Sequence, residues 1–222
     1  MPPSPALIFD LDGTLVDTAP DLLEALNCIL DAHGRARIDP ATLRHMVGFG
    51  AASLIRQAFD ASGEPISDAI MDATVDAFLA HYALHLADAS RPFPGVVHTL
   101  TRLKADGARL GVLTNKVAAL AAPLLEKLDL LRFFDVVYGA GKKTYTKPDP
   151  RIFHDLVDEM GGGPAVMIGE SITDLKTARA AGAPCILMTY GYTPDPVAGL
   201  GADIVLDDFA ELPDAIKKLL RF

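Results

Sequence analysis

The chain turns from apolar to acidic within one short stretch, Ala6-Leu7-Ile8-Phe9-Asp10-Leu11-Asp12-Gly13-Thr14. The apolar run that ends at Phe9 predicts a buried parallel strand. In an extended chain Asp10 and Asp12 lie on the same face, and Gly13 allows a sharp turn after them. Two carboxylates at the end of a buried strand are costly unless something offsets their desolvation. The stretch therefore predicts a hard-oxygen site, suited to Mg²⁺, at the carboxyl end of the first strand.

The composition restricts the classes of partner. With 222 residues, 50% of them hydrophobic, the chain is long enough for one large domain or for a domain with an insertion. The net charge of −9 argues against a general nucleic-acid surface, so an anionic substrate needs a local cationic pocket. Cys28 and Cys185 indicate a reducing compartment rather than a disulfide framework. The sequence shows no signal peptide or membrane span, and we expect a cytoplasmic protein without a membrane partner.

Apolar strand-like runs alternate with amphipathic helical patterns over most of the chain. After the first run, the strand-like segments are 110–113, 136–138, 165–168, 185–188 and 204–206, and the helical segments between and after them are 97–104, 118–128, 151–160, 175–181 and 212–220. This alternation predicts an α/β fold with a Rossmann-like parallel sheet and helices on both of its faces.

Residues 17–90 break this alternation, because their apolar spacing is helical throughout. We therefore expect a discontinuous α/β core domain, residues 1–16 and 91–222, interrupted by an all-helical domain, residues 17–90. The segment Arg91-Pro92-Phe93-Pro94-Gly95 is predicted to be the return linker, since its two prolines prevent a continuous helix.

Further polar residues lie close to the ends of other predicted strands. Thr114 and Asn115 follow the strand predicted to end at Leu113. Gly169-Glu170-Ser171-Ile172-Thr173-Asp174 follows another strand, and Lys147 precedes a proline at the start of a helix. Ligands of an open parallel sheet bind beyond the carboxyl ends of its strands. We therefore expect one site to be surrounded by six side chains: Asp10, Asp12, Thr114, Lys147, Glu170 and Asp174.

These segments resemble, in order and approximate spacing, the four motifs of the haloacid dehalogenase superfamily. The motifs are Asp10-x-Asp12-Gly13-Thr14, Thr114, Lys147-Pro148 and the acidic loop from Glu170 to Asp174. The helical insertion resembles the first-position cap of that superfamily, and the resemblance covers essentially the whole chain. Within the superfamily the chain looks most like the phosphoglycolate phosphatases, on segments that include Val47-Gly48-Phe49-Gly50, Thr114-Asn115-Lys116 and Lys147-Pro148-Asp149-Pro150.

The resemblance implies a Mg²⁺-dependent phosphatase that acts through an aspartyl-phosphate on a small phosphorylated metabolite, first of all 2-phosphoglycolate. Asp10 is then the nucleophile and Asp12 the general acid and base. Thr114 and Lys147 complete the implied catalytic set. The implied groups that bind phosphate or substrate are Thr114, Asn115, Lys147, Gly48 and Gly50. The implied metal ligands are Asp10, Asp12 (through its backbone carbonyl), Glu170 and Asp174.

The acidic loop departs from the family pattern, which usually has aspartate after the glycine, as a direct metal ligand. This chain has Glu170 there, and Mg²⁺ demands near-ideal octahedral geometry. Three outcomes are open: Glu170 ligates the metal after a small backbone retreat, Asp174 or a water takes its position, or metal affinity falls and the protein is a weak or non-catalytic relative. We favour the first, because the other catalytic positions are filled.

Four basic side chains have two interpretations each. Lys116 either binds phosphate or lies on the surface. Arg44, His45 and Arg56 are candidates for binding a substrate carboxylate, although solvated helix residues are the commoner case. The sequence does not separate a monomer from a homodimer.

Other activities of this superfamily differ at identifiable residues. A dehalogenase does not need Asp12, and a phosphonatase uses a cap lysine, which residues 17–90 lack altogether. A β-phosphoglucomutase-like phosphotransferase keeps both Asp10 and Asp12, so the motifs leave it open. Sugar phosphatases, nucleotidases and pyrophosphatases also stay open, as does a non-catalytic phosphate-binding protein.

Overall fold

The structure, a computed structural model, describes residues 4–193 and 196–220. The strands are β1 (Ala6–Phe9), β2 (Val16–Asp17), β3 (Arg91–Pro92), β4 (Arg109–Val117), β5 (Val136–Ala140), β6 (Ala165–Gly169), β7 (Cys185–Met188) and β8 (Ile204–Leu206). The helices are α1 (Ala19–Ala32), α2 (Pro40–Arg44), α3 (Ala51–Ser62), α4 (Asp68–Leu84), α5 (Val96–Ala105), α6 (Ala118–Lys127), α7 (Pro150–Glu159), α8 (Ile172–Ala180) and α9 (Leu212–Leu220). This order confirms the predicted α/β fold.

A six-stranded parallel sheet forms the centre of the molecule, in the order β5-β4-β1-β6-β7-β8. Strand β1 pairs with β4 on one side and with β6 on the other, so that Phe9 is in register with Val112 and with Ile168. Because these three strands are adjacent and parallel, their carboxyl ends meet at one edge of the sheet. Residues that follow them are thereby brought together.

Both faces of the sheet are covered by apolar packing. Leu7 and Phe9 belong to one buried cluster, whereas Ala6 and Ile8 belong to the other, and all four side chains are inaccessible to solvent. Successive residues of β1 alternate between the two clusters because side chains of a strand point to opposite faces of the sheet. Complete burial of each large apolar side chain stabilises the fold by about 1.5–3 kcal/mol. None of the helices in the described ranges is both long and apolar enough to cross a membrane.

Strand β4 runs further than predicted. We expected it to end at Leu113, but it continues to Val117, and its pairing with β5 shifts register between Leu113 and Val117. Thr114, Asn115 and Lys116 therefore lie within the irregular last part of a strand rather than in a loop after it. An irregularity of this kind lets a strand stay paired with its neighbour while its side chains point in new directions. Hydrophobic periodicity in the sequence does not reveal such an irregularity.

Helices α1 to α4 form a helical insertion between β2 and β3, and α1 packs against the other three. The two strands that flank the insertion pair with each other: Val16 lies opposite Pro92, and Asp17 lies opposite Arg91. The sequence analysis described Arg91 and Pro92 only as a linker, because a two-residue strand is too short to show a period. The pairing fixes the two connections of the insertion side by side.

Tyr192 connects the sheet to the start of the helical insertion. Its hydroxyl oxygen accepts hydrogen bonds from the backbone N–H groups of Thr18 (2.7 Å) and Ala19 (3.0 Å), and the hydroxyl donates to Asp17 Oδ1 (2.5 Å). The guanidinium of Arg44 lies 5.0 Å from the centre of the Tyr192 ring. One phenol thus holds the first connection and contacts helix α2.

We expect Tyr192→Phe to loosen this connection, because it removes one acceptor and one donor while it keeps the ring. The loss should lower the free energy of unfolding by about 1–2 kcal/mol. It should also speed hydrogen exchange of the Thr18 and Ala19 amides by about tenfold or more. Tyr190→Phe is the matched control, since the Tyr190 hydroxyl donates instead to the Thr14 carbonyl oxygen at 2.8 Å. Unchanged exchange at Thr18 and Ala19 would contradict the assigned link.

Candidate active site

Asp10, Lys147 and Asp174 form a buried charged group at the carboxyl edge of the sheet. Lys147 Nζ lies 2.9 Å from Asp10 Oδ1 and 2.6 Å from Asp174 Oδ1, and its side chain is only 1% exposed. Burial alone would lower the pKa of Lys147, but the two carboxylates raise it above its usual value. The lysine is therefore held in its charged form. The structure brings together these three predicted site residues.

The environment of Asp10 combines opposing effects. Burial raises the pKa of its carboxyl well above the usual value, Lys147 opposes that shift, and the Asp174 charge adds to it. Asp10 Oδ1 also accepts a hydrogen bond of 2.7 Å from the backbone N–H of Leu11. No hydrogen bond to Oδ2 is made within the described ranges. That oxygen is therefore available to a ligand.

Asp12 contacts a different lysine from Asp10. Lys116 Nζ is 3.0 Å from Asp12 Oδ1 and donates a hydrogen bond of 2.8 Å to Tyr82 Oη on helix α4. The Lys116 side chain is 5% exposed, so the interpretation of Lys116 as a surface residue is wrong. Sequence reasoning missed Tyr82; the available signal was a tyrosine on a buried helix face, where its hydroxyl needs a partner.

Glu170 is held by the loop that follows strand β7. Its Oε2 accepts hydrogen bonds from the backbone N–H groups of Tyr192 and Thr193, both at 3.0 Å. Gly191 makes room for the side chain, because a Cβ at Gly191 would lie 2.4 Å from Glu170 Cβ. Burial, together with the nearby charges of Asp174 and Asp10, raises the pKa of Glu170 to about 8. The extra methylene of glutamate is thus accommodated by a loop that the sequence analysis did not connect to the site.

Asp174 has two structural partners that the sequence analysis did not foresee. Its Oδ2 accepts hydrogen bonds from the backbone N–H groups of Glu170 and Ser171, at 3.1 Å each, and from Ser171 Oγ at 2.8 Å. Together with Ser171, it forms the capping box of helix α8. With Oδ1 bound to Lys147, both Asp174 oxygens are engaged by the protein.

Three carboxylates lie close enough to share one cation. Asp10, Glu170 and Asp174 each offer an oxygen within 4.8 Å of the others, and all three residues are buried. The Asp12 carboxylate is not part of this cluster. The resemblance implies that Asp12 would bind a metal through its backbone carbonyl instead. Lys147 compensates only part of the negative charge, and a divalent cation with oxygen ligands would compensate the rest.

A cavity opens between the sheet edge and the helical insertion. It is lined by Asp10, Asp12, Thr114, Asn115 and Lys116 from the sheet side, together with Gly48 and Gly50 from the insertion. Asn115 Nδ2 donates to the carbonyl oxygens of Gly48 and Lys147, both at 3.2 Å. Asn115 therefore bridges the two parts of the chain.

The other basic candidates do not line this cavity. Arg44 contacts Asp17 at 3.4 Å, and Arg56 contacts the exposed Asp68 at 3.2 Å. His45 is exposed to solvent.

Comparison with known proteins shows the family of this chain. Residues 7–188 match the model of the haloacid dehalogenase-like hydrolases. The chain is 42% identical to a phosphoglycolate phosphatase of Agrobacterium fabrum, over 97% of this chain and 93% of that protein. It is 45% identical to a phosphoglycolate phosphatase of Caulobacter vibrioides, over 96% and 91% of the two chains. The crystal structure of a predicted phosphoglycolate phosphatase from Haemophilus somnus superimposes with a TM-score of 0.90 at 30% identity, covering 95% of this chain and 97% of that one. This chain belongs to the haloacid dehalogenase-like hydrolases.

Proposed function

We propose that the protein is a Mg²⁺-dependent phosphatase that hydrolyses 2-phosphoglycolate to glycolate and phosphate through an aspartyl-phosphate. The observation that carries this proposal is the buried carboxylate cluster in which Lys147 contacts Asp10, at the edge of a cavity that also contains Asp12. The relatives named phosphoglycolate phosphatase support the choice of substrate. Residues 17–90 would act as the cap that closes over the substrate, and we retain a cytoplasmic location as a prediction.

The side chains support a two-step phosphoryl transfer. Asp10 attacks phosphorus, so that a new bond forms to its carboxylate oxygen while the ester P–O bond breaks. Asp12 protonates the leaving glycolate oxygen and then takes a proton from the water that attacks the phosphorus and releases Asp10. Thr114 and Lys147 bind the phosphoryl oxygens, and Asn115 positions the Gly48-to-Gly50 segment over the site.

The donor set fits a hard divalent cation. Asp10, Glu170 and the Asp12 backbone carbonyl would hold Mg²⁺, whereas Asp174 would act through its contacts with Lys147 and the Glu170 backbone. When bound, the ion supplies positive charge that offsets the repulsion between the nucleophile and an anionic ester. Glu170 is the preferred ligand from the acidic loop because its Oε1 accepts no hydrogen bond within the described residues, in contrast to both Asp174 oxygens.

We expect Mg²⁺-dependent phosphate release that is fastest with 2-phosphoglycolate in a panel containing sugar phosphates, nucleotides and pyrophosphate. Asp10→Asn should abolish turnover, because the amide is a poor nucleophile of nearly the same shape. The substitution should leave substrate binding measurable by calorimetry. Hydrolysis by Asp10→Asn at the wild-type rate would contradict the covalent mechanism, and phosphate transfer to a sugar instead of water would favour a mutase.

Glu170→Gln should weaken Mg²⁺ binding about tenfold or more, because it removes a charged ligand and keeps an oxygen for the Tyr192 and Thr193 amides. Titration calorimetry without substrate measures the affinity directly, and Glu64→Gln on the surface is the control. Unchanged Mg²⁺ affinity would show that Asp174 or a water takes the position instead.

The raised pKa of Glu170 also predicts a pH effect on the metal-free protein. The unfolded chain loses this proton near the ordinary pKa of 4.5, whereas the folded protein keeps it to about pH 8. Wild-type stability should therefore fall relative to Glu170→Gln as the pH rises across this window. Urea denaturation of both proteins at several pH values, with chelator present, measures the difference. Parallel stability curves would contradict the burial cost assigned to this carboxylate.

A further inference from the structure

Lys116 is the only lysine or arginine among the described residues that line the cavity. Lys147, which the proposed function assigns to the phosphoryl group, contacts Asp10 and Asp174 and is not one of these lining residues. Lys116 Nζ lies 3.0 Å from Asp12 Oδ1 and 2.8 Å from Tyr82 Oη, so its position in the cavity is fixed by two contacts. The cavity therefore holds one positive charge beside Asp12 to which the proposed mechanism assigns no role.

We propose that Lys116 binds the carboxylate of the substrate and thereby determines the preference for a phosphorylated acid. This inference rests on the proposed function, in which Asp12 protonates the ester oxygen. That oxygen must then lie within hydrogen-bond distance of Asp12, and Lys116 Nζ is 3.0 Å from the same carboxylate. In a phosphorylated 2-hydroxy acid, the carboxylate is attached to the carbon that bears the ester oxygen, so it lies about 3 Å from that oxygen. Such a substrate has two anionic ends, and the site has two lysines to bind them: Lys147 beside Asp10 and Lys116 beside Asp12.

The charge of the protein makes such a contact necessary. The chain has a net charge of −9, and three buried carboxylates lie at the phosphoryl end of the site. A second anionic group on the substrate would be repelled there unless a fixed cation faced it. Lys116 is placed for that purpose, and it is held from two sides by Asp12 Oδ1 and Tyr82 Oη.

The rest of the cavity favours a small acid over a larger polar substrate. Its remaining lining is mostly apolar, from Leu22, Met46, Leu54, Phe78, Leu79 and Leu120. These side chains offer no partners for the hydroxyl groups of a sugar ring, which would lose hydrogen bonds to water on entry. Tyr82 comes from the helical insertion, so the carboxylate position is complete only when the insertion covers the sheet.

The test compares two esters of similar size, 2-phosphoglycolate and 2-hydroxyethyl phosphate, which carries an uncharged hydroxymethyl group in place of the carboxylate. We expect the wild-type protein with Mg²⁺ to prefer 2-phosphoglycolate by about 100-fold in kcat/KM. Lys116→Gln should reduce this ratio to about fivefold or less, mainly through a higher KM for 2-phosphoglycolate. Lys116→Arg, which keeps the charge, should retain most of the preference. Glycolate should inhibit the wild type and lose its effect on Lys116→Gln.

The outcomes separate this inference from the proposed function. Lys116→Gln could lose the same fraction of kcat/KM on both esters and so keep the wild-type preference for 2-phosphoglycolate. That result would show that Lys116 serves only Asp12, and it would overturn the inference alone. A wild-type protein that hydrolyses both esters equally well would overturn the inference and the choice of substrate together. Lys116→Met, a second variant without the charge, should lose the preference as Lys116→Gln does, and circular dichroism and the Tm of each variant establish that it is folded. Glycolate inhibition of the wild type tests the carboxylate position without any substitution.

Discussion

The burial of three carboxylates around one lysine is the constraint on which the rest of the structure depends. Asp10, Glu170 and Asp174 are all nearly inaccessible to solvent, and holding any of these carboxyl groups in its charged form there costs several kcal/mol. The structure offsets this cost with fixed partners: Lys147 for two of the carboxylates, backbone amides of the α8 capping box for Asp174, and loop amides for Glu170. The three carboxylates and Lys147 are therefore positioned together by the strand order, the start of helix α8 and the loop after β7.

Glycines lie where these carboxylates need space. A Cβ at Gly169 would lie 2.2 Å from Asp174 Cγ, and a Cβ at Gly191 would lie 2.4 Å from Glu170 Cβ. Neither carboxylate can retreat, because each accepts two backbone N–H hydrogen bonds from its surroundings. The backbone therefore approaches the acids directly, and this close approach makes room for the longer side chain of Glu170.

The site also depends on polar contacts between the sheet and the helical insertion. Tyr82 contacts Lys116, and the Gly48 carbonyl contacts Asn115. At the connection itself, Asp17 contacts Tyr192. Tyr192 belongs to the loop whose amides hold Glu170, so the acidic cluster and the first connection of the insertion share one short segment. A shift of the insertion would alter partners on both sides of the cavity.

The sequence by itself determined the order along the chain of the six central-sheet strands and the helices between them, the helical insertion and the acids at the strand ends, because burial of an apolar run and alternation along a strand are local properties. It did not show that Lys147 is buried between Asp10 and Asp174. The tertiary structure decided that Lys116 is buried, that Asp174 caps a helix, and that Tyr82 and Tyr192 reach the site. Those facts depend on contacts between side chains far apart along the chain, such as Lys116 with Asp12, whose geometry arises only when the sheet assembles and the insertion covers it.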